Sequence, residues 1–344
     1  MREDRLITSK ELEGFIKRLS SVNVDSLLMT SYAKRYLQHL ILHKRFYCRI
    51  YAQLLNLVLK NCAKKKEDIC LVDYGAGNGI IGLLAVYCGF GKVYINDLSA
   101  DFIQAAKELS KAMGIQPDGF IEGDVENVQE YLSNIVPDVV VSSDVIEHIY
   151  DLDIFFETVK QINPGVVTVM RTACNPANYF IVRQLKKMQL KDELLGGSPD
   201  DHVLFGEAAI EPFVVIRRKI IKASSLGKLN DVEINTLATL TRGLRKVDIE
   251  RAVEKYIVDK TLPVTLSHPT NTCDPMTGSW SERLLSFEEY KMIYAKAGFD
   301  VEIYKGFYNE YENTVKSKLL FFVNRMIPFA GYKLAPFINI IGKV

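Results

Sequence analysis

The sequence predicts an α/β protein, a doubly wound and mostly parallel seven-stranded sheet with helices added before it and inserted within it. Three observations predict this. Short apolar runs alternate with helix-period segments from residue 68 to 170. The first apolar run ends in a glycine-rich turn, Gly75-Ala76-Gly77-Asn78-Gly79. The alternation breaks at 174 and resumes at 286.

Residues 1–65 read as a helical segment. Tyr36, Leu40, Phe46, Ile50, Leu54 and Leu57 recur at helical spacing. Tyr32, Tyr36, Tyr47 and Tyr51 either line a pocket or pack on the next domain, and packing is the favoured reading.

The core follows over 66–173. Ile69–Tyr74 is strand one, and its near-continuous apolar character suits a strand covered on both faces. Ile80–Tyr87 is the first helix, stopped by Gly89 and Gly91. Lys92–Asn96 is strand two, and Ser99–Met113 a helix with Ser99 as N-cap and Gly114 as stop. Phe120–Glu122 is strand three, followed by a helix at Val125–Ile135. Asp138–Ser143 is strand four, Ile149–Ile162 a helix, and Val166–Met170 strand five.

Residues 174–265 read as a charge-rich helical cap. Residues 266–344 hold a loop and the rest of the core, with a helix at Ser286–Ala297, strand six at Phe299–Tyr304 and the last strand at Pro336–Lys343. Within this part Lys316–Phe329 is apolar on more than one side. It is core, a self-association face or a membrane-surface face. Core or a protein interface, such as a homo-oligomer contact through 316–329, is favoured because an interfacial helix should show a strongly basic polar face.

Composition narrows the function. The chain has 344 residues, is 48% hydrophobic and 25% charged, and carries a formal net charge of +1, so it has no global basic field for nucleic acid. The runs Lys64-Lys65-Lys66 and Arg217-Arg218-Lys219 are too short to change that. Six dispersed cysteines without a CxxC pair predict reduced, mostly buried thiols, no zinc site and a cytoplasmic setting. No signal peptide is visible, and no apolar run reaches membrane-spanning length.

In a doubly wound sheet, ligands bind beyond the carboxyl ends of the strands. Strand one ends in Asp73 and the glycine loop, strand two in Asn96-Asp97-Leu98, strand three in Gly123-Asp124-Val125, and strand four in Ser143-Asp144-Val145. Asp97 stands about 20 residues past the loop, where a carboxylate holds ribose hydroxyls. The loop is GxGxG, not the GxGxxG that a pyrophosphate wants. Together with Asp124 at an adenine edge, this favours a nucleoside without phosphates over a dinucleotide such as NAD.

Five stretches, VDYGAGNG (72–79), VYINDLS (93–99), GDVENV (123–128), VVVSSDVIEHI (139–149) and INPG (162–165), make the region Leu71–Met170 resemble a class I S-adenosylmethionine-dependent methyltransferase. SDVIEH followed by a helical FF and a Pro-Gly turn resembles the small-molecule and quinone O-methyltransferase branch, and 282–303 resembles the helix and sixth strand of the same Rossmann-like fold. The resemblance implies S-adenosyl-L-methionine as cofactor. It implies that Gly75, Ala76, Gly77, Asn78 and Gly79 pass under the amino-acid part of the donor and that Asp73 fixes the loop and the donor's amino group. Asp97, with Asn96 and Leu98 beside it, would meet the ribose. Asp124 and Val125 would meet the adenine, and Ser143, Asp144 and Val145 would close the far side. Capping or a turn is the competing reading for Asp97 and Asp124.

Methyl transfer to a hydroxyl is helped by a general base, and histidine suits that role. His148 follows strand four on the rim of the expected site, while His202 and His268 are acceptor-side candidates. No metal site is expected, since the spacing of Asp144, Glu147 and His148 does not define an octahedral cage. Trp280, with Asn271, Asp274, Glu282 and Arg283, forms either a ring-binding wall or a loop packed by its own tryptophan. The acceptor expected is an oxygen of a small molecule or saccharide. N-methylation of protein or RNA, and a non-catalytic binding protein of the same fold, are the alternatives.

Overall fold

The computed structural model describes residues 6–196, 211–264 and 266–344. Contacts divide it into two units, one of residues 1–146, 152–173 and 288–344, the other of 147–151 and 174–287.

The first unit carries the sheet. Its strands are β1 (Cys70–Tyr74), β2 (Lys92–Asp97), β3 (Gly119–Glu122), β4 (Val139–Ser143), β5 (Val167–Thr172), β6 (Asp300–Lys305) and β7 (Ile338–Lys343). Their order is β3-β2-β1-β4-β5-β7-β6. Pairing is parallel from β3 to β5, and β7 alone runs antiparallel to both its neighbours. The order reverses direction between β1 and β4, so the carboxyl ends there open a crevice for a ligand.

The N-terminal helices fold as part of this unit. Helix α1 (Ser9–Ser20) opens with a capping box, Thr8 accepting from the Glu11 N–H while Glu11 returns the bond to the Thr8 N–H. Helix α2 (Ser31–Leu42) and helix α3 (Lys44–Asn61) are separated at His43 within the N-terminal helical segment. Phe15, Leu54, Leu55 and Val58 share one apolar core with Leu71, Val93, Val139 and Val169 of the sheet. Each such fully buried side chain contributes roughly 1.5–3 kcal/mol. The remaining helices of this unit are α4 (Ile80–Tyr87), α5 (Ala100–Met113), α6 (Val125–Tyr131) and α7 (Leu152–Ile162). Two more stand apart in sequence, α12 (Phe287–Lys296) and α13 (Val315–Ala330). Among the described residues no disulfide is formed, and all six cysteines are buried.

The second unit holds α8 (Tyr179–Leu194), α9 (Phe213–Ser225), α10 (Asp231–Leu240) and α11 (Lys246–Asp259). Ile220, Ile221, Leu237, Ile249 and Val253 form its apolar centre. Arg217 is buried there, bonded through both Nη atoms to the Glu193 carboxylate, with its Nε donating to the Ala238 carbonyl at 2.8 Å. The unit also takes in the loop 266–285, which therefore folds with the helical insertion rather than with the sheet.

Of the two favoured readings of Lys316–Phe329, core or a protein interface, core does not hold for most of its apolar residues. Leu319, Phe322, Met326 and Phe329 of α13 are exposed. The side of α13 that packs inward is mixed, with Ser317 and Ile327 buried and Leu320 and Asn324 half-buried.

Candidate functional site

The crevice of the first unit is built from the glycine loop upward. Asp73, at the end of β1, is fully buried, and its Oδ2 accepts from the Gly82 N–H at 2.8 Å. Gly75 has φ +65°, and a side chain there would come within 2.5 Å of Val145 Cγ2. Gly77 has φ +55° and donates its N–H to Asp97 Oδ2 at 2.8 Å. The Ala76 N–H goes to the Asn96 carbonyl at 2.8 Å. Gly79 N-caps α4 in the left-handed conformation. The loop is thereby clamped to β2 while its glycines keep the backbone bare for a ligand.

Asp97 Oδ1 also accepts from the Ser99 N–H at 2.9 Å, and the carboxylate is 8% exposed. Burial raises its pKa, against the two backbone N–H bonds that lower it. Asp73 is pushed from the usual 3.8 to about 7, by burial first, with the Gly82 bond opposing and the charge of Asp97 adding.

Asp124 is the N-cap of α6, its Oδ1 accepting from Glu126 and Asn127, while Asn127 Oδ1 accepts from the Asp124 N–H. Capping is thus realised at Asp124, with both cap bonds on one oxygen. Val125 is buried and Leu98 is exposed. Asn96 Nδ2 is committed to the Ile121 and Gly123 carbonyls at 3.1 and 2.9 Å, which ties β2 to the turn after β3.

At the end of β4, Asp144 has φ +58° and pairs through Oδ2 with Arg171 of β5. Its Oδ1 accepts from the Ala173 N–H at 3.2 Å, and the Ser143 hydroxyl donates to Oδ2 at 3.2 Å. Sequence reading passed over Arg171 because it lies inside an apolar strand.

Of the four tyrosines, Tyr36 of α2 lies against the glycine loop, while Tyr51, Tyr47 and Tyr32 pack on apolar clusters, as the packing reading expected. Tyr36 Cε1 lies 3.3 Å from the position of a Cβ on Gly77. Asn78 Nδ2 donates to the Ala33 carbonyl at 3.4 Å. The Tyr36 residue is 40% exposed, yet its phenol is pushed up by desolvation and then by the charge of Asp144. Tyr47 and Tyr51 are raised chiefly by burial, and both feel Arg171 and Asp144. His39 Nε2 stands 3.0 Å from the Tyr47 hydroxyl, and His43 pairs with Glu312.

Asp73 Oδ1 and Asn78 Oδ1 are buried without a partner among the described residues, two acceptors beneath a loop whose glycines let Val145, Tyr36, Ala106 and Ile95 pack closely against it.

Residues 65–213 match a family model described as a methyltransferase domain. That stretch is similar to a methyltransferase domain. The matched stretch holds the glycine loop and the ends of β1 to β5, the part of the chain that the sequence reads as the core. No curated protein matches the chain. Similar solved structures include a SAM-dependent methyltransferase from Archaeoglobus fulgidus, with 16% identity, 89% of this chain and 99% of that one covered, and a TM-score of 0.41. Another is the CurJ carbon methyltransferase, with 13% identity, 97% and 66% covered, and a TM-score of 0.44. A third is a putative methyltransferase of Haloferax volcanii in complex with the Trm112 activator, with 12% identity, 88% and 92% covered, and a TM-score of 0.44.

The second unit holds the histidine candidates that can be placed. His148 Nδ1 lies 2.8 Å from the Trp280 carbonyl, and a carbonyl only accepts, so Nδ1 carries the proton and Nε2 the lone pair of the neutral ring. Nε2 stands 3.9 Å from Glu282 Oε1. Glu147, His148 and Glu282 each bring one metal-competent atom within 4.8 Å of the others. Asp144, which the sequence grouped with Glu147 and His148, belongs instead to the Arg171 pair. His268 sits in a turn of this unit, its carbonyl accepting from the Asn271 N–H at 3.2 Å. His202 lies outside the described residues.

Trp280 is corrected as a ring-binding wall. It is 4% exposed, stacks on Tyr150 at 6.2 Å between ring centroids, donates Nε1–H to the Tyr150 carbonyl and lies under the Arg283 guanidinium. Asn271 is committed to both backbone groups of Leu284, and Asp274 to its own turn. These residues build the loop.

Proposed function

We propose that this chain is a methyltransferase of the small-molecule and quinone-like O-methyltransferase branch and acts on an oxygen of a small molecule or saccharide, with His148 as proton acceptor. The single observation that carries the oxygen assignment is the bond between His148 Nδ1 and the Trp280 carbonyl. It fixes the tautomer in which Nε2 is basic, and a hydroxyl acceptor must give up a proton as its oxygen becomes bonded to carbon.

S-adenosyl-L-methionine supplies an electrophilic methyl group on a sulfonium. The chain's own residues bind and orient it in this reading. Asp73 takes the amino group, Gly75–Gly79 lie under the amino-acid part, and Asp97 accepts from the ribose hydroxyls. Asp124, through the oxygen left outside its cap, takes the adenine amine, with Val125 against the ring. Tyr36 and the Asp144–Arg171 pair shield the loop from water, which keeps the electrophile from hydrolysis.

The test has two arms. Calorimetry with S-adenosylmethionine, S-adenosylhomocysteine and NAD measures the donor site, and binding of the first two but not the third is the expected result. A labelled-methyl screen across phenols, alcohols, glycans, RNA and proteins measures the acceptor. Label on nitrogen of RNA or protein would sink the oxygen assignment while leaving the donor site intact. His148→Gln is expected to keep donor affinity and lose turnover by about 10²–10⁴-fold.

A further inference from the structure

Helix α13 is amphipathic the wrong way round for a globular protein. Val315, Leu319, Phe322, Met326 and Phe329 recur at steps of four and three residues, which sets them on one face. All five are 58–93% exposed. The opposite face carries Ser317 and Asn324, and these pin the helix to the protein. Asn324 Nδ2 donates to the Tyr308 carbonyl at 3.0 Å and to Glu310 Oε2 at 2.8 Å, while its Oδ1 accepts from the Tyr308 N–H at 2.7 Å. Ser317 is 3% exposed, its N–H going to Thr314 Oγ1 at 3.1 Å and its hydroxyl to the Asn309 carbonyl at 3.4 Å. Ser317 and Asn324, with the buried Ile327, hold an apolar stripe out toward water.

Cations border the stripe. Lys318 and Arg325 stand along one side of it and Lys316 along the other, with Lys333 just past the helix end. Arg325 lies over the Phe321 ring at 4.2 Å, a posture in which its stem covers apolar surface and its charge stays at the edge. Residues 313–344 contain no aspartate or glutamate. The nearest acidic side chains in sequence are engaged on the anchored side, Glu310 by Asn324 and Glu312 by His43.

We propose that α13 is a membrane-surface helix that lays this stripe into the headgroup region of a bilayer rich in anionic lipid. An apolar stripe with a cationic border and no carboxylate is the pattern that anionic headgroups complement. A second copy of the same face is the poorer occupant, since pairing would set Lys316, Lys318 and Arg325 of both copies along one seam with nothing to neutralise them. At 16 residues the helix lies on a bilayer; no helix among the described residues is long and apolar enough to cross one. The inference rests on α13 alone and not on the donor site.

Vesicle co-sedimentation of the full chain tests it. Binding is expected to phosphatidylcholine vesicles containing phosphatidylglycerol, weakened by salt, and not to phosphatidylcholine alone. Phe322→Glu with Phe329→Glu, and separately Lys316→Glu with Lys318→Glu, are each expected to weaken it roughly tenfold or more. Both pairs replace exposed side chains, and unchanged melting temperature and S-adenosylmethionine calorimetry verify that the fold persists. Equal binding to both vesicle types, binding that the variants leave unaltered, or no vesicle binding at all would overturn the proposal. Concentration-dependent dimerisation lost in the phenylalanine variant, without vesicle binding, would assign the stripe to a second copy.

Discussion

The backbone N–H of Gly77 meets Asp97 Oδ2 at 2.8 Å, so the residue expected to hold the ribose also clamps the glycine loop. The two roles separate by substitution. Asp97→Asn keeps an oxygen for the Gly77 N–H but loses the charge and the acceptor for the Ser99 N–H, a cost to be read in the melt. It is expected to fold with a melting temperature within a few degrees of the parent while donor affinity falls about 10- to 100-fold, the worth of a charged hydrogen bond. Asp97→Ala removes both roles and is expected to abolish measurable binding. Calorimetry and thermal melts on the same samples check this, and an unaltered affinity in Asp97→Asn would refute the ribose assignment.

Gly75→Ala tests the cradle. Its φ of +65° disfavours any L side chain, and the new methyl would have to displace Val145, whose Cγ atoms would lie 2.5 and 2.9 Å away. The expected result is loss of donor binding with a destabilisation of about 1–3 kcal/mol, read by urea titration. Gly89→Ala is the control. It shares the positive φ, at +81°, but nothing lies within 4 Å of the added carbon, so it should cost stability and spare donor binding.

Asp73 makes the pH prediction. Its pKa rises from 3.8 to about 7 on folding, so between those values the folded chain holds a proton that the unfolded chain has released. Stability from this group therefore falls as pH climbs from about 4 to about 7, and levels off above. A cationic amino group beside Asp73 favours the carboxylate, so donor binding should release a proton and tighten as pH rises toward 7. Calorimetry at pH 6 in two buffers of different ionisation enthalpy counts that proton. In Asp73→Asn the count should drop to zero; a count that stays would place the linkage elsewhere.

Glu193 is expected to matter for folding and not for the donor. Both of its oxygens engage Arg217, which is fully buried, and Thr272 donates to Oε2 at 2.8 Å. Glu193→Ala leaves that guanidinium uncompensated at a cost of about 3–5 kcal/mol, so the second unit should melt early. S-adenosylmethionine calorimetry below that melt should match the parent.

The order of strands and helices through the sheet, the glycine loop and the carboxylates at the strand ends were legible in the sequence because each is local. A strand's burial on both faces writes an apolar run, a left-handed turn writes glycine, and a strand end falls a fixed few residues later. Even Asp124 was readable as a helix cap from its neighbours alone. The sequence also identified Tyr36, Tyr47 and Tyr51 as one helical set, but not that Tyr36 would lie over Gly77, because residues 41 positions apart in chain order meet only through the fold. Arg171 stayed hidden within an apolar strand until Asp144 was placed beside it. Trp280 read equally well as a wall or as packing, and its stacking on Tyr150 decided for packing. The last case is α13. Its apolar period was plain in the sequence, but periodicity gives the width of a stripe and not the direction it faces. That direction was set by Ser317 and Asn324, whose partners at Asn309, Tyr308 and Glu310 hold their side of the helix inward together with Ile327 and leave Phe322 and Phe329 facing out.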